Sequence, residues 1–121
     1  MRLLVCGSRH FTDDTLLDNT LFDITGLRDH YNFGTIIHGN AKGADTFAAL
    51  WGYRMGWKVK AFPADWEEYG KAAGPIRNKQ MLDEGKPDLV IAFWDGKSTG
   101  TKNMIEQAQK TGIPVKIVEI K

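Results

Sequence analysis

Apolar residues cluster in five short runs along the chain, and longer segments of mixed polarity separate them. The runs are "LLVC" (3–6), "TIIH" (35–38), "VKAF" (59–62), "LVIAF" (89–93) and "VKIVEI" (115–120). The first and fourth lack polar alternation, as expected of strands that are buried on both faces of a parallel sheet. The third and fifth carry charged residues at alternate positions, which is typical of edge strands. The pattern predicts five β-strands, two of them central and two at the edges.

The segments between these runs have the spacing of helices that bury one face. Apolar residues recur there three or four positions apart, which places them on the same side of a helix. Thr12 is the candidate N-cap of the first helix, and Arg77 stands where the third is expected to begin. The helical segments carry Leu17, Leu21, Ile24 and Leu27; Ala44, Phe47, Ala48, Trp51 and Met55; Met81 and Leu82, ahead of "EGKPD"; and Met104, Ile105 and Ala108, ahead of Gly112.

The alternation of strands and helices predicts an α/β fold. Parallel strands are joined by right-handed crossovers, so helices cover both faces of the sheet. We predict a single Rossmann-like, doubly wound domain over residues 1–121, with a five-stranded parallel sheet in the order 3-2-1-4-5. In such a sheet the connections from strands 1 and 4 diverge to opposite faces. Ligands bind in the opening that this leaves at the carboxyl ends of the strands, called the crevice below.

Three glycine-containing loops, "CGSRHF", "HGNAKGAD" and "WDGKSTGT", follow strands 1, 2 and 4 and so converge at the crevice. Glycine lets the backbone approach a ligand, and the helix that follows presents unpaired N–H groups suited to phosphate or carboxylate. The alternative is that the glycines only turn the chain. The predicted ligand-binding residues are Gly7, Ser8, Arg9, His38, Gly39, Lys42, Gly43, Asp45, Arg77, Gly96, Ser98, Thr99, Gly100 and Thr101.

Basic side chains lie in or beside these loops. Arg9 and Arg77 are the strongest candidates, because a guanidinium group grips phosphate with two hydrogen bonds. The alternative for Arg77 is an ion pair with Asp65 or Glu68. Three lysines also flank the loops, and each is either a ligand contact or a solvated surface charge: Lys42, Lys97 and Lys102.

Three other side chains leave two interpretations open. His38 ends strand 2, where a histidine is more often tied to the backbone than catalytic. Asp45 is positioned to accept a ribose hydroxyl or simply to favour the N-terminus of its helix. Trp66 lies in the long segment 62–81, which either folds over the crevice and stacks on a base or plugs the core.

Composition and charge narrow the classes of function. The chain has 121 residues and a net charge of +1, so the basic crevice suits a small anion better than a nucleic-acid polymer. No apolar run approaches the roughly 20 residues of a membrane span, and the N-terminus lacks the pattern of a signal peptide. The single cysteine, Cys6, indicates a reducing cytoplasm. Three histidines without ligand spacing predict no metal, and nothing predicts a cofactor.

Four ordered motifs resemble one known family. They are "CGSRHF", "IIHGNAKGAD", "FPADW…YGKAAGPIRNKQM" and "DLVIAFWDGKSTGTKNM", which together cover nearly the whole chain. They are similar to the YspA-like (YpsA-related) branch of the SLOG superfamily, the Smf/DprA–LOG group. The resemblance implies a Rossmann-like fold and a nucleotide or nucleotide-derived ligand. The superfamily includes the LOG phosphoribohydrolases, which release a base from a nucleoside monophosphate, sensors of nucleotide signals in bacterial immunity, and DprA, which binds single-stranded DNA.

Two motifs of the LOG enzymes have counterparts here. Their catalytic arginine lies in an Arg-x-x-x-Met setting that resembles "RNKQM", so the resemblance implies Arg77 as the candidate catalytic residue. Their "PGGxGTxxE" motif resembles "WDGKSTGTKNM", with Gly100 and Thr101 as the matching pair.

The second motif also departs from the LOG pattern. Met104 stands where those enzymes carry a catalytic glutamate, and three residues separate Gly96 from Gly100 where the motif has one. Cleavage of an N-glycosidic bond passes through a cationic sugar and needs a carboxylate to stabilise it or to activate water. Asp45 and Asp95 are the carboxylates available to replace the glutamate, but the sequence demands neither.

These observations lead to three functional hypotheses. The first is a cytoplasmic, non-catalytic protein that binds a nucleotide or nucleotide-derived signal, either as a sensor or as a sequestering protein such as a phage carries against nucleotide-signalled defence. Only the resemblance suggests the last role. The alternatives are a LOG-like nucleotide hydrolase and a DprA-like binder of single-stranded DNA, which the charge disfavours. Four tryptophans and the association of SLOG relatives through helices predict a homodimer or larger assembly.

Overall fold

The computed structural model describes residues 1–26 and 34–121. Five strands form one sheet: β1 (Arg2–Gly7), β2 (Thr35–His38), β3 (Lys58–Ala61), β4 (Leu89–Trp94) and β5 (Val115–Glu119). All neighbouring strands pair in parallel, and their order is β3-β2-β1-β4-β5. The predicted α/β fold and strand order are therefore confirmed.

Helices cover both faces of the sheet and bury two apolar clusters. They are α1 (Asp14–Thr25), α2 (Ala44–Arg54), α3 (Trp66–Tyr69), α4 (Ala73–Gly85) and α5 (Thr99–Lys110). Leu3 and Val5 of β1 point to the face covered by α1 and α2, while Leu4 and Cys6 point to the face covered by α4 and α5. Because successive side chains of a strand point to opposite faces of the sheet, β1 contributes to both apolar clusters.

Several local predictions differ from the structure. Asp13, not Thr12, caps α1, and its side chain accepts a hydrogen bond from Leu16 N at 3.0 Å. Because α4 begins at Ala73, Arg77 lies in the second turn and not at the helix start. The same helix continues to Gly85, into the segment expected to end it. The predicted helical residue Leu27 lies outside the described residues.

Most of the segment between β3 and α4 is exposed, although Phe62 at its start is buried. The Trp66 side chain is 59% accessible, so the prediction that it plugs the core is wrong. Its ring lies against α4, with the edge 3.5 Å from where a Cβ on Gly74 would stand. Stacking of this ring on a base remains a prediction. In the described part of the chain, no helix is long and apolar enough to cross a membrane.

Candidate functional site

The loops after β1 and β4 are joined by hydrogen bonds at the crevice. Ser8 N donates to the carbonyl oxygen of Phe93 at 3.1 Å, and the Ser8 hydroxyl interacts with the Asp95 carboxylate. The same hydroxyl oxygen accepts from His10 N at 3.2 Å. Ser8 is only 2% accessible, so its polar atoms are used within the protein. It fixes the two loops to each other.

The loop after β2 packs directly onto the loop after β1 through Gly43. This glycine has φ of 82° and ψ of −127°, a conformation that side chains strongly disfavour. A Cβ at this position would overlap the Ser8 carbonyl oxygen and would lie 3.0 Å from the Arg9 carbonyl oxygen. The three predicted loops therefore form one contiguous structure.

Asp45, a buried residue in the first turn of α2, forms hydrogen bonds to the backbone of the loop after β2. Its Oδ2 accepts hydrogen bonds from Gly39 N at 2.9 Å and from Ala41 N at 3.3 Å. Burial raises the pKa of Asp45 to about 6, although these two hydrogen bonds and the positive charge of Arg77 oppose the rise. The carboxylate thus fixes loop backbone, which accounts for its position without a ribose hydroxyl.

His38 is also engaged with the backbone. Its Nδ1 accepts from Asn40 N at 3.0 Å, so the ring proton of the neutral form is on Nε2. Burial, followed by the charge of Arg77, lowers the pKa of His38 and keeps the imidazole neutral at neutral pH. The geometry corresponds to the backbone-tied interpretation of this histidine.

Arg77 reaches from α4 to the loop after β2. Its Nη1 donates to the Gly39 carbonyl oxygen and its Nε donates to Asn78 Oδ1 at 3.1 Å. Burial lowers the pKa of Arg77, and the nearby Asp45 carboxylate partly offsets that effect. Among residues 1–26 and 34–121, nothing accepts a hydrogen bond from Nη2. The alternative of an ion pair with Asp65 or Glu68 is wrong.

Asn78, which lies outside the predicted ligand-binding residues, connects Arg77 to the loop after β4. Its Nδ2 donates to the Gly100 carbonyl oxygen at 3.2 Å and to Asn103 Oδ1 at 3.1 Å. The residue is 4% accessible. A signal was present in the sequence, because Asn78 precedes Met81 and Leu82 at helical spacing and is therefore a polar residue on the apolar stripe.

Asp95 organises the loop that enters α5. Its Oδ1 accepts from Lys97 N and Ser98 N, both at 2.8 Å, and its Oδ2 accepts from Ser98 Oγ at 3.2 Å. These hydrogen bonds lower the pKa of Asp95, which is ionised at neutral pH. Two of the N–H groups expected to meet an anion are consequently occupied by the protein itself.

The first turn of α5 still presents N–H groups toward the end of the sheet. The N–H groups of Thr99, Gly100 and Thr101 have no intrahelical acceptor, because the first hydrogen bond of the helix runs from Lys102 N to the Ser98 carbonyl, and they carry the partial positive charge of the helix start. A Cβ on Gly100 would meet no atom within 4 Å, so this position is open. Gly96 and Lys97, just before the helix, are exposed.

The basic residues differ in their surroundings. Arg9 and Lys42 are exposed on the loops after β1 and β2. Lys102 Nζ lies 3.9 Å from Glu106 Oε1 on the surface of α5, which is the arrangement expected of a solvated surface charge. Arg77 is the one predicted cation that the structure places half-buried, against Gly39.

Met104 is fully buried in the cluster beneath α4 and α5. The position that carries a glutamate in the LOG enzymes is thus part of the apolar core in this chain. A carboxylate at such a position would need a partner to offset the loss of hydration.

Two further observations concern the described residues outside the three loops. Within residues 1–26 and 34–121, no group of three or more His, Cys, Asp or Glu side chains could hold a metal ion. A groove lies beside α1 and β5, and none of its lining residues belongs to the three loops. It is lined by Thr20, Asp23, Ile24, Lys116, Ile117 and Val118.

Comparisons with known proteins identify the family. The model of the "YspA, cpYpsA-related SLOG family" matches residues 1–69. The Gene 61 protein of Mycobacterium phage D29 is 40% identical over 119 residues, which cover 94% of this chain and 93% of that protein. The crystal structure of DNA processing protein A (DprA) from Streptococcus pneumoniae superposes with a TM-score of 0.74 at 22% identity, a likeness of fold alone. That match covers 99% of this chain but 50% of DprA, so the chain spans about half of its length. The chain belongs to the YspA, cpYpsA-related SLOG family.

Proposed function

We propose that this protein binds a nucleotide or a nucleotide-derived signal in the crevice, with a phosphate group beside Arg77. The observation that carries the proposal is the Arg77 guanidinium at the carboxyl edge of β2. Nη1 and Nε donate to Gly39 and Asn78, while no described residue accepts from Nη2. Two fixed nitrogens orient the group, and the third is available for the charge-assisted hydrogen bond that phosphate forms with arginine.

The remaining surroundings favour a compact anion. Arg9, Lys42 and Lys97 are exposed on the three loops, so positive charge is concentrated there although the net charge of the chain is only +1. Thr99 and Gly100 are exposed and a Cβ on Gly100 would meet no atom within 4 Å, so their N–H groups at the start of α5 are the ones proposed to meet oxygen atoms of the ligand. A nucleotide offers both phosphate oxygens and a base, and the exposed Trp66, whose ring lies against α4 at Gly74, is the aromatic side chain that we propose for stacking.

The proposed role is binding without turnover, as a sensor or a sequestering protein. Hydrolysis of a nucleoside monophosphate needs a carboxylate near the sugar. Met104 occupies the core where the LOG enzymes have glutamate, and Asp45 and Asp95 already bond loop backbone. Similarity to a phage protein over almost the whole chain supports the sequestering role.

We expect Arg77→Ala to weaken nucleotide binding by about 1.5–3 kcal/mol, roughly 10- to 150-fold, the range for a hydrogen bond to a charged group. Arg77→Lys should recover only part of the loss, because an ammonium group lacks the planar fork. Calorimetric titration with AMP, ADP, ATP and ADP-ribose measures the effect, and the tightest binder of this panel serves as the probe nucleotide.

Lys79→Ala is the matched control for Arg77→Ala. Lys79 lies on the same helix and pairs with Asp83 on the exposed surface, so the variant removes the same charge away from Gly39. Its affinity should equal that of the wild type. Equal losses in the Lys79 and Arg77 variants would show a general charge effect, and no loss for Arg77→Ala would remove Arg77 from the site.

We expect Gly100→Val to reduce affinity for the probe nucleotide at least about tenfold while the fold is preserved. The added side chain would enter open space in the first turn of α5 and cover the N–H groups proposed to face the ligand. Gln109→Val places the same residue in the last turn of α5 and is the control for helix propensity. Unchanged affinity of Gly100→Val, at an unchanged melting temperature, would exclude the α5 start from the site.

A further inference from the structure

A continuous chain of hydrogen bonds connects the loop after β2 with the start of α5. Asp45 accepts from Gly39 N, and the Gly39 carbonyl accepts from Arg77 Nη1. Arg77 Nε then donates to Asn78 Oδ1, and Asn78 Nδ2 donates to the Gly100 carbonyl. Asn78 is the member of this chain that bonds to both Arg77 and the backbone of α5.

The amide of Asn78 is held firmly in this position. It is 4% accessible, its oxygen accepts one hydrogen bond, and its nitrogen donates two, to Gly100 and to Asn103 Oδ1. Asn103 Oδ1 in turn accepts from Gln107 Nε2 at 2.7 Å. Hydrogen bonds shielded from water are electrostatically stronger, and a satisfied network restricts each member to one orientation.

We propose that Asn78 is a positioning residue that couples the Arg77 guanidinium to the first turn of α5. Its oxygen fixes the Nε edge of the guanidinium, which sets the direction of the remaining Nη2. Its nitrogen fixes the Gly100 carbonyl and with it the backbone whose N–H groups begin the helix. A ligand that draws Arg77 toward a phosphate is thereby linked to the backbone around Gly100. The functional consequence rests on the proposed nucleotide site, whereas the coupling itself is a property of the protein alone.

Three variants separate the two ends of the amide. Asn78→Ala removes the hydrogen bonds to Arg77, Gly100 and Asn103. Asn78→Asp keeps an acceptor for Arg77 but places a carboxylate oxygen against the Gly100 carbonyl and Asn103 Oδ1. Asn103→Ala is the control, because it removes one partner of Asn78 without changing the bonds to Arg77 or Gly100.

The first measurement is affinity for the probe nucleotide from AMP, ADP, ATP and ADP-ribose. We expect losses of about tenfold for Asn78→Ala and Asn78→Asp and a change of less than about twofold for Asn103→Ala. In the Arg77→Ala background, Asn78→Ala should cost less than it does in the wild type, because part of its effect passes through Arg77. Full additivity would contradict coupling through the guanidinium.

The second measurement needs no ligand. Arg77→Lys removes the Nε donor, and we expect it to shift the backbone amide resonances of Gly100 and Thr101 in the wild-type background. In the Asn78→Ala background, Arg77→Lys should leave the Gly100 and Thr101 resonances unshifted. If Asn78→Ala does not fold, Asn78→Asp serves as the background instead. Equal shifts in both backgrounds, or none in either, would overturn the proposal. If no nucleotide of the panel binds, the proposed function fails, while this cycle still decides the role of Asn78.

Discussion

Gly43→Ala should lower the free energy of unfolding by about 3–5 kcal/mol, the sum of backbone strain and overpacking. The glycine has φ of 82° and ψ of −127°, and a methyl group there would overlap the Ser8 carbonyl oxygen. A carbonyl is part of the backbone and cannot move away as a flexible side chain would. Because total stabilities of small domains are about 5–15 kcal/mol, the variant should unfold at markedly lower urea concentration.

Gly112→Ala is the control that measures the cost of backbone strain without a steric overlap. Gly112 has a similar φ of 77°, but a Cβ there would meet no atom within 4 Å. Its substitution should cost about 1–2 kcal/mol, the cost of a left-handed conformation for a residue with a side chain. Equal losses at Gly43 and Gly112 in urea titrations would contradict the close packing of the loops after β1 and β2.

Asp45 should make the protein less stable as pH rises from about 4 to about 6. Burial raises the pKa of its carboxyl from 3.8 to about 6 in the folded protein, a change that corresponds to about 3 kcal/mol. The unfolded chain binds fewer protons than the folded one between these values. The stabilisation is therefore complete below pH 3.8 and is lost as pH passes through about 6.

The comparison with Asp45→Asn isolates this effect, since asparagine does not titrate. The unfolding free energy of the wild type minus that of the variant should fall by about 3 kcal/mol across this interval. Asp95, whose pKa is lowered and whose contribution has the opposite sign, is present in both proteins and cancels. A difference that stays constant with pH would show that Asp45 is not buried as described.

The sequence was sufficient to predict the order of the strands. The uninterrupted apolar runs at 3–6 and 89–93 placed β1 and β4 at the centre, and the charged alternation in β3 and β5 placed those strands at the edges. Each of these signals is a direct consequence of which strand faces are buried. The start of α4 was predicted less well, because a turn of 3₁₀ helix at Gly70–Ala72 leads into it without a side-chain cap.

The sequence predicted which loops meet but not how their polar atoms are used. Ser8, His38 and Asp45 were among the predicted ligand-binding residues, with a purely structural role left open for His38 and Asp45, and in the structure all three bond to neighbouring loop atoms. Which donor meets which acceptor depends on side-chain positions in three dimensions that residue type and spacing do not specify. For the same reason Asn78 escaped notice, although its place on an apolar stripe was visible. Whether the loops also hold a ligand remains a prediction.

The central claim is that the crevice binds a nucleotide without cleaving it. The most direct test is calorimetric titration of the wild-type protein with AMP, ADP, ATP and ADP-ribose, followed by chromatography of each mixture for free base. We expect saturable binding of at least one of these nucleotides and no base released after prolonged incubation. Absence of binding to all four, or accumulation of free base, would contradict it.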